Sequence, residues 1–175
     1  MMPPSGLRQR RSARASAIAP EQRADASAAC TAAVALLARR DYAAAELRAL
    51  LRSRGFDEEV AVAVVAHLAA ERTVDDQRFA HNYVTWHAGR GQGPVRIAAE
   101  LRARGVPEAL IDAALAAGPD WAVLARRVRA ARFGQRPPRS WPDKARQARF
   151  LQYRGFSADH IRSATGADPE REEPA

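Results

Sequence analysis

Leu101-Arg102-Ala103-Arg104-Gly105-Val106 has the pattern of a helix end, because a Gly after the last turn readily takes the left-handed conformation that closes a helix. The same pattern recurs as LRSRGF at residues 51–56 and as LQYRGF at residues 151–156, so that the three Gly residues are spaced 50 residues apart. Self-similarity at this period predicts tandem repeats, each of which buries its apolar face against its neighbours. Three Leu residues should occupy equivalent buried positions and three Gly residues equivalent helix ends: Leu51, Leu101, Leu151, Gly55, Gly105 and Gly155.

The composition of the 175 residues favours helices with thin cores. Hydrophobic residues make up 47% of the chain but aromatic residues only 6%, and much of the remainder is Ala, a strong helix former. Apolar periodicity predicts an all-α protein of about nine helices in three units, with no sheet. The single Cys30 excludes an intramolecular disulfide, and no apolar run approaches the ~18 residues of a membrane span or follows the pattern of a secretory signal. We therefore expect a cytoplasmic protein without a membrane segment.

Charge divides the chain into five segments. Residues 1–27 form a basic arm that we predict to be disordered, and residues 166–175 form an acidic tail. The first three-helix unit, residues 28–72, and the second, residues 73–119, each have no net charge, whereas the third, residues 120–165, has a net charge of +8. This asymmetry indicates a polyanion or an acidic protein as partner.

The basic third unit supplies the candidate binding residues. It carries ten Arg and one Lys against three Asp, so most of its cations lack an acidic neighbour in sequence. A solvated basic face is the simpler interpretation, and contact with a partner or with DNA is the functional one. The candidates are Arg126, Arg127, Arg129, Arg132, Arg139, Lys144, Arg146, Arg149 and Arg154.

Catalysis has little support in the sequence, and we predict no enzyme activity, no cofactor and no metal site. The four His residues form no metal-binding motif, and the Gly-rich stretch at 89–93 lacks the Lys and the preceding strand of a phosphate-binding loop. Paired carboxylates at 75–76 fit a helix cap and first turn better than a metal site. Most acidic residues fall at predicted helix starts, where five are predicted helix caps: Asp41, Asp57, Asp75, Asp120 and Asp143.

Five ordered stretches, residues 39–47, 54–60, 75–84, 93–106 and 145–156, together closely resemble the bacterial RecX family of regulatory proteins. The resemblance spans about residues 28–165. It implies three tandem three-helix units in an elongated, curved array. It also implies a protein that binds the RecA recombinase and its filament on single-stranded DNA and restrains recombinase, ATPase and co-protease activity, with a place in homologous recombination, DNA repair and the SOS response. We expect the protein to be a monomer. Two features depart from the family pattern: Thr73 stands where the family usually has Gly or a similar small residue, and the basic arm lies outside the shared region.

A helical DNA-binding transcription regulator is the alternative interpretation. Three-helix units with short turns resemble helix-turn-helix folds, and the third unit is basic. Its cations, however, are spread over two helices and a loop rather than gathered on one recognition helix. Both interpretations leave open direct contact with single- or double-stranded DNA.

Overall fold

The structure is a computed structural model that describes residues 23–166, and this part of the chain folds into nine helices without a strand. The all-α prediction and the three-by-three arrangement are confirmed. Residues 1–22 of the predicted arm and residues 167–175 of the predicted acidic tail lie outside the described residues. The helices are α1 (Ala26–Leu37), α2 (Ala44–Ser53), α3 (Glu58–Ala70), α4 (Asp76–Gly89), α5 (Pro94–Ala103), α6 (Glu108–Ala116), α7 (Trp121–Phe133), α8 (Trp141–Tyr153) and α9 (Ala158–Thr165).

Three helix starts differ from the predictions. Helix α1 begins at Ala26, inside the segment assigned to the arm, because the Asp25 carboxylate accepts hydrogen bonds from the first backbone N–H groups of the helix. Helix α2 begins later than predicted, and the backbone N–H of Ala44 donates to Asp76 of the second unit at 2.8 Å rather than to a cap from its own unit. Helix α8 is capped by the Ser140 hydroxyl. The predicted caps Asp41 and Asp143 are therefore wrong.

Each unit has its own apolar cluster. Leu51, Leu101 and Leu151 are completely buried, as the period of 50 residues predicts. The clusters also exchange residues across unit boundaries: Ala43 belongs to the second cluster and Ala88 to the third. These shared residues link each core to the next one along the chain. No helix in the described range is long and apolar enough to cross a membrane.

The second and third Arg-Gly stretches form the two joints between units. Gly55, Gly105 and Gly155 all have positive φ, at 104°, 76° and 88°. At the second joint, the N–H of Gly93 donates to the carbonyl of Arg154 at 2.8 Å, and Val95 N–H donates to the carbonyl of Gly155 at 3.0 Å. The end of α8 thereby caps the start of α5 in the preceding unit.

Close packing at these joints requires Gly for a second reason. A Cβ on Gly155 would lie 2.8 Å from the backbone nitrogen of Arg96, and a Cβ on Gly105 would lie 2.5 Å from the Ala45 Cβ. At Gly105 and Gly155 the repeated motif therefore ends a helix and also brings its unit into direct contact with the previous one.

Candidate partner-binding surface

Each joint between units carries a surface groove, and the two grooves follow the same plan. Arg40 and Arg104 line the first groove, which has a volume of about 770 Å³. Their equivalents 50 residues later, Arg90 and Arg154, line the second groove, which has a volume of about 340 Å³. We call them the Trp86 groove and the Arg154 groove, after one residue that lines each.

One helix forms the wall of each groove, and the side chains that it presents differ. Helix α4 lines the Trp86 groove with Asn82, Tyr83, Trp86 and His87. At positions 45 residues later, helix α7 lines the Arg154 groove with Arg127, Val128, Ala131 and Arg132. The first groove is therefore aromatic where the second is basic and aliphatic.

Cations in the third unit surround an aromatic pair beside the Arg154 groove. Phe133 and Phe150 meet edge to face with their ring centroids 5.3 Å apart. The Arg154 guanidinium lies 5.4 Å from the Phe150 ring, and that of Arg146 lies 5.5 Å from the Phe133 ring. Arg154 also donates to the backbone carbonyl of Arg90 at 3.3 Å. The rings hold the long Arg side chains against the surface while their charged ends remain accessible.

The structure gathers only some of the nine candidates at one place. Arg127, Arg132 and Arg154 line the Arg154 groove. In the described part of the chain no carboxylate pairs with any of these three cations, so their charges are not compensated. Five other candidates lie outside the core, and they line neither groove: Arg126, Arg139, Lys144, Arg146 and Arg149. Among them, Arg146 pairs with Asp143 at 2.9 Å and Arg126 donates to the Ser163 hydroxyl at 2.7 Å.

Arg129 must be removed from the candidates, because its side chain is only 6% exposed. Its guanidinium donates to the backbone carbonyls of Gln135 and Arg136 at 3.2 and 3.0 Å and lies 3.4 Å from the side-chain oxygen of Gln147, which is also buried. The side chain therefore holds the loop after α7 in place. A buried and engaged guanidinium is not available to an external partner.

Arg90 is the groove residue that the sequence analysis missed. Gly89-Arg90-Gly91 fits a simple helix end and turn, and the second unit is neutral, so nothing in the local sequence set this Arg apart. The period offered a signal, because Arg40 stands 50 residues earlier at the end of the first helix region. Arg90 places its guanidinium 3.8 Å from the centroid of the Trp86 ring and also lines the Arg154 groove.

A polar network behind the Trp86 groove fixes its aromatic residues. The Tyr83 hydroxyl donates to Glu100 at 2.5 Å, and Arg96 donates to the same carboxylate at 2.8 Å. Burial, and then the hydrogen bond to Glu100, raise the pKa of Tyr83 to about 12. Burial also acts to raise the pKa of Glu100, but the hydrogen bonds from Tyr83 and Arg96 outweigh it, so this pKa lies below its ordinary value. Glu100 is therefore ionised and Tyr83 neutral at pH 7.

The described residues contain no group of three or more His, Cys, Asp or Glu side chains that could hold a metal ion. Asp75 accepts from the backbone N–H of Arg78 at 2.9 Å, and Asp76 accepts from that of Ala44. The paired carboxylates at the start of α4 therefore serve as helix caps, one for its own helix and one for the preceding unit.

Three stacked three-helix units with a groove at each joint define a helical-repeat protein. The family models for "RecX, first three-helix domain", "RecX, second three-helix domain" and "RecX, third three-helix domain" match residues 29–68, 75–115 and 122–165. The chain belongs to the RecX family of regulatory proteins.

Curated relatives and solved structures agree with this assignment. The chain is 47% identical over 143 residues to "Regulatory protein RecX" of Halorhodospira halophila, covering 81% of this chain and 89% of the relative. It is 40% identical over 139 residues to the protein of the same name from Stenotrophomonas maltophilia strain K279a, covering 79% and 85%. The crystal structure of RecX from Lactobacillus salivarius matches with a TM-score of 0.70 at 22% identity, over 80% of this chain and 94% of that one. The names of these relatives describe a regulatory protein and no enzyme.

Proposed function

We propose that this protein binds RecA and its filament on single-stranded DNA, and that it thereby inhibits recombinase, ATPase and co-protease activity. It would act as a monomer in the cytoplasm, in homologous recombination, DNA repair and the SOS response. Membership of the RecX family supports the regulatory role. The observation that carries the choice of surface is the cluster of uncompensated Arg side chains in the Arg154 groove.

The Arg154 groove suits a negatively charged partner on physical grounds. Arg127, Arg132 and Arg154 come from two helices, and Arg90 joins them from the preceding unit. Repulsion among four cations without an acidic partner raises the free energy of the unbound protein, and an anion in the groove removes that repulsion. Phosphates of the filament, or carboxylates on its surface, supply such an anion.

RecA-dependent ATP hydrolysis on single-stranded DNA provides the direct test. Titration of this protein should lower the hydrolysis rate at near-stoichiometric or lower ratios to RecA, since a filament offers many equivalent binding sites. The protein by itself should hydrolyse no ATP. Unchanged RecA activity at saturating protein would reject the proposal.

A set of charge variants locates the anchor. The triple variant Arg127→Gln, Arg132→Gln and Arg154→Gln removes three cations from the groove. A matched control removes the same charge from the same unit outside both grooves: Arg139→Gln, Lys144→Gln and Arg149→Gln. Filament binding is measured as the slope of the logarithm of the binding constant against the logarithm of the salt concentration. If each lost cation contacted one phosphate, the groove variant should make this slope shallower by about 2, since one contact on a single strand contributes about 0.7. The control should change the slope little.

The outcomes separate groove binding from a general effect of charge. Equal weakening by both third-unit variants would mean that the net charge of the unit, rather than the groove, attracts the filament. A first-unit variant, Arg39→Gln, Arg48→Gln and Arg52→Gln, completes the comparison, because Arg48 and Arg52 already pair with Glu58 at 3.7 and 2.6 Å. It should leave filament binding unchanged. Thermal unfolding of each variant verifies that the fold is intact.

A further inference from the structure

We propose that the Trp86 groove is a base-stacking site, at which this protein binds single-stranded nucleic acid directly through the aromatic side chains of α4. The inference goes beyond the proposed function, because it concerns nucleic acid bound by this chain alone. It stands on the exposed Trp86 ring, which the less exposed rings of Tyr83 and His87 support, together with the uncompensated Arg side chains beside it.

The wall is a continuous series of rings. Tyr83 and His87 stack with ring centroids 3.9 Å apart, and Trp86 meets His87 edge to face at 4.6 Å. Trp86 is 54% exposed at the surface of the groove. The Arg90 guanidinium lies over one face of the indole, but about half of the side chain still faces water, and a flat base can cover this apolar surface with little geometric demand.

The rings are held before any ligand arrives. Tyr83 is fixed by its hydrogen bond to Glu100, and His87 Nδ1 lies 2.5 Å from the side-chain oxygen of Gln92. The Arg90 guanidinium lies over the Trp86 ring at 3.8 Å. A preorganised platform does not spend binding free energy on ordering its own side chains.

The charges around the wall suit a sugar–phosphate backbone on one side. Arg104 lies 4.8 Å from the Tyr83 ring, and within residues 23–166 no carboxylate pairs with Arg104 or Arg90. Arg40 is paired with Glu46 at 2.7 Å, and Asp41 lines the same end of the groove. A phosphate therefore finds its partners at Arg104 and Arg90 rather than at the Arg40 end.

Arg90 connects this groove to the next one. Its guanidinium lies over Trp86, and the residue also lines the Arg154 groove, with its three uncompensated cations. One ligand that offers flat aromatic rings and regularly spaced negative charges along a flexible strand can fill both grooves. Single-stranded nucleic acid has this chemistry, whereas the bases of a duplex are stacked on each other and cannot reach Trp86.

Fluorescence anisotropy with labelled oligonucleotides tests the site in the full-length protein without RecA. Three probes of equal length are compared: oligo(dT), an abasic sugar–phosphate strand and a duplex. The variant Trp86→Leu removes the stacking ring, and Trp86→Phe keeps a π-face. Tyr153→Leu is the matched control, because Tyr153 is 81% exposed and lines neither groove.

Trp86→Leu should weaken binding to oligo(dT) by about fivefold or more and leave binding to the abasic strand and the duplex within about twofold of the wild type. Trp86→Phe should retain most of the affinity for oligo(dT), and Tyr153→Leu should retain all of it. Equal binding of oligo(dT) and the abasic strand by the wild type would overturn the proposal. So would a Trp86→Leu variant that loses RecA inhibition but binds oligo(dT) normally, because the groove would then be a protein contact. Failure of RecA inhibition in the wild type would reject the proposed function and leave this site untouched.

Discussion

The two grooves show what a repeat conserves and what it leaves free. Each groove lies at a joint, each is flanked by two Arg residues 50 residues from their counterparts, and each has one helix as its wall. Yet the walls share no side chain, since Trp86 and His87 of α4 correspond to Ala131 and Arg132 of α7. The joint fixes where a groove forms, because helix ends and Gly contacts fix the backbone. The wall side chains are not needed for that geometry, so they are free to acquire different chemistry.

The same divergence reaches the core behind each groove. Val84 and Ile97 of the second unit are buried and apolar. Their counterparts in the third unit, 45 and 50 residues later, are Arg129 and Gln147, which are also buried. The third unit therefore has a polar pair where the second has two apolar residues. The two terminal guanidinium nitrogens of Arg129 also donate to the loop that follows α7, whereas its buried Nε has no hydrogen-bond partner among the described residues.

Substitution of the joint glycines by Ala should produce the largest effect on stability. Gly155→Ala places a Cβ against the backbone of Arg96, which cannot move without breaking the joint, so we expect a loss of about 3 kcal/mol. Gly105→Ala meets only the Ala45 Cβ and should cost about 2 kcal/mol, and the β-branched Gly105→Val should cost more than Gly105→Ala. Urea unfolding measures each change.

Gly166→Ala is the matched control for the joint glycines. Gly166 is also left-handed, with φ 67°, but only the flexible end of Lys144 lies within 4 Å of its Cβ position. Gly166→Ala should lower the free energy of unfolding by about 1 kcal/mol, because it introduces only the strain of a left-handed backbone conformation. Equal losses at Gly155 and Gly166 would show that the joint tolerates a methyl group and that the two units are not in rigid contact.

The second prediction concerns the buried Arg. Arg129→Met keeps most of the side-chain volume but removes the donors to Gln147 and to the loop carbonyls, and should cost about 2 kcal/mol. The double variant Arg129→Val with Gln147→Ile rebuilds the apolar pair of the second unit and should recover part of that loss. Thermal unfolding compares the two. A neutral Arg129→Met would mean that these buried hydrogen bonds contribute no net stability to the fold.

Local sequence predicted most of the fold because the determinants are local: Gly at helix ends, Leu at a fixed period and acidic residues at helix starts. One error arose because a partner comes from another unit. Asp76 caps α2 from 32 residues away, and no neighbour of Ala44 in sequence reveals it. Burial of Arg129 could have been suspected, because Gln147 occupies the place of the apolar Leu47 and Ile97 in the 50-residue period. Arg90 and the Trp86 groove depend on how units pack, which charge totals per unit do not describe.

The smallest effect that we predict concerns the polar network behind the Trp86 groove. At the Arg154 groove, Phe150 occupies the position that corresponds to Glu100. Tyr83→Phe removes the hydroxyl that donates to Glu100 and should cost about 1 kcal/mol at pH 7. Because the folded pKa of Glu100 lies below its unfolded value, the stability from its ionised form is present above the unfolded pKa, near 4.3, and is lost as the pH falls through the folded pKa. The difference between wild type and Tyr83→Phe should therefore shrink when urea unfolding is repeated at about pH 3.

Tyr153→Phe, which removes an exposed hydroxyl, should match the wild type at both pH values. A difference between wild type and Tyr83→Phe that is the same at both pH values would mean that the hydroxyl stabilises the fold without the charge of Glu100.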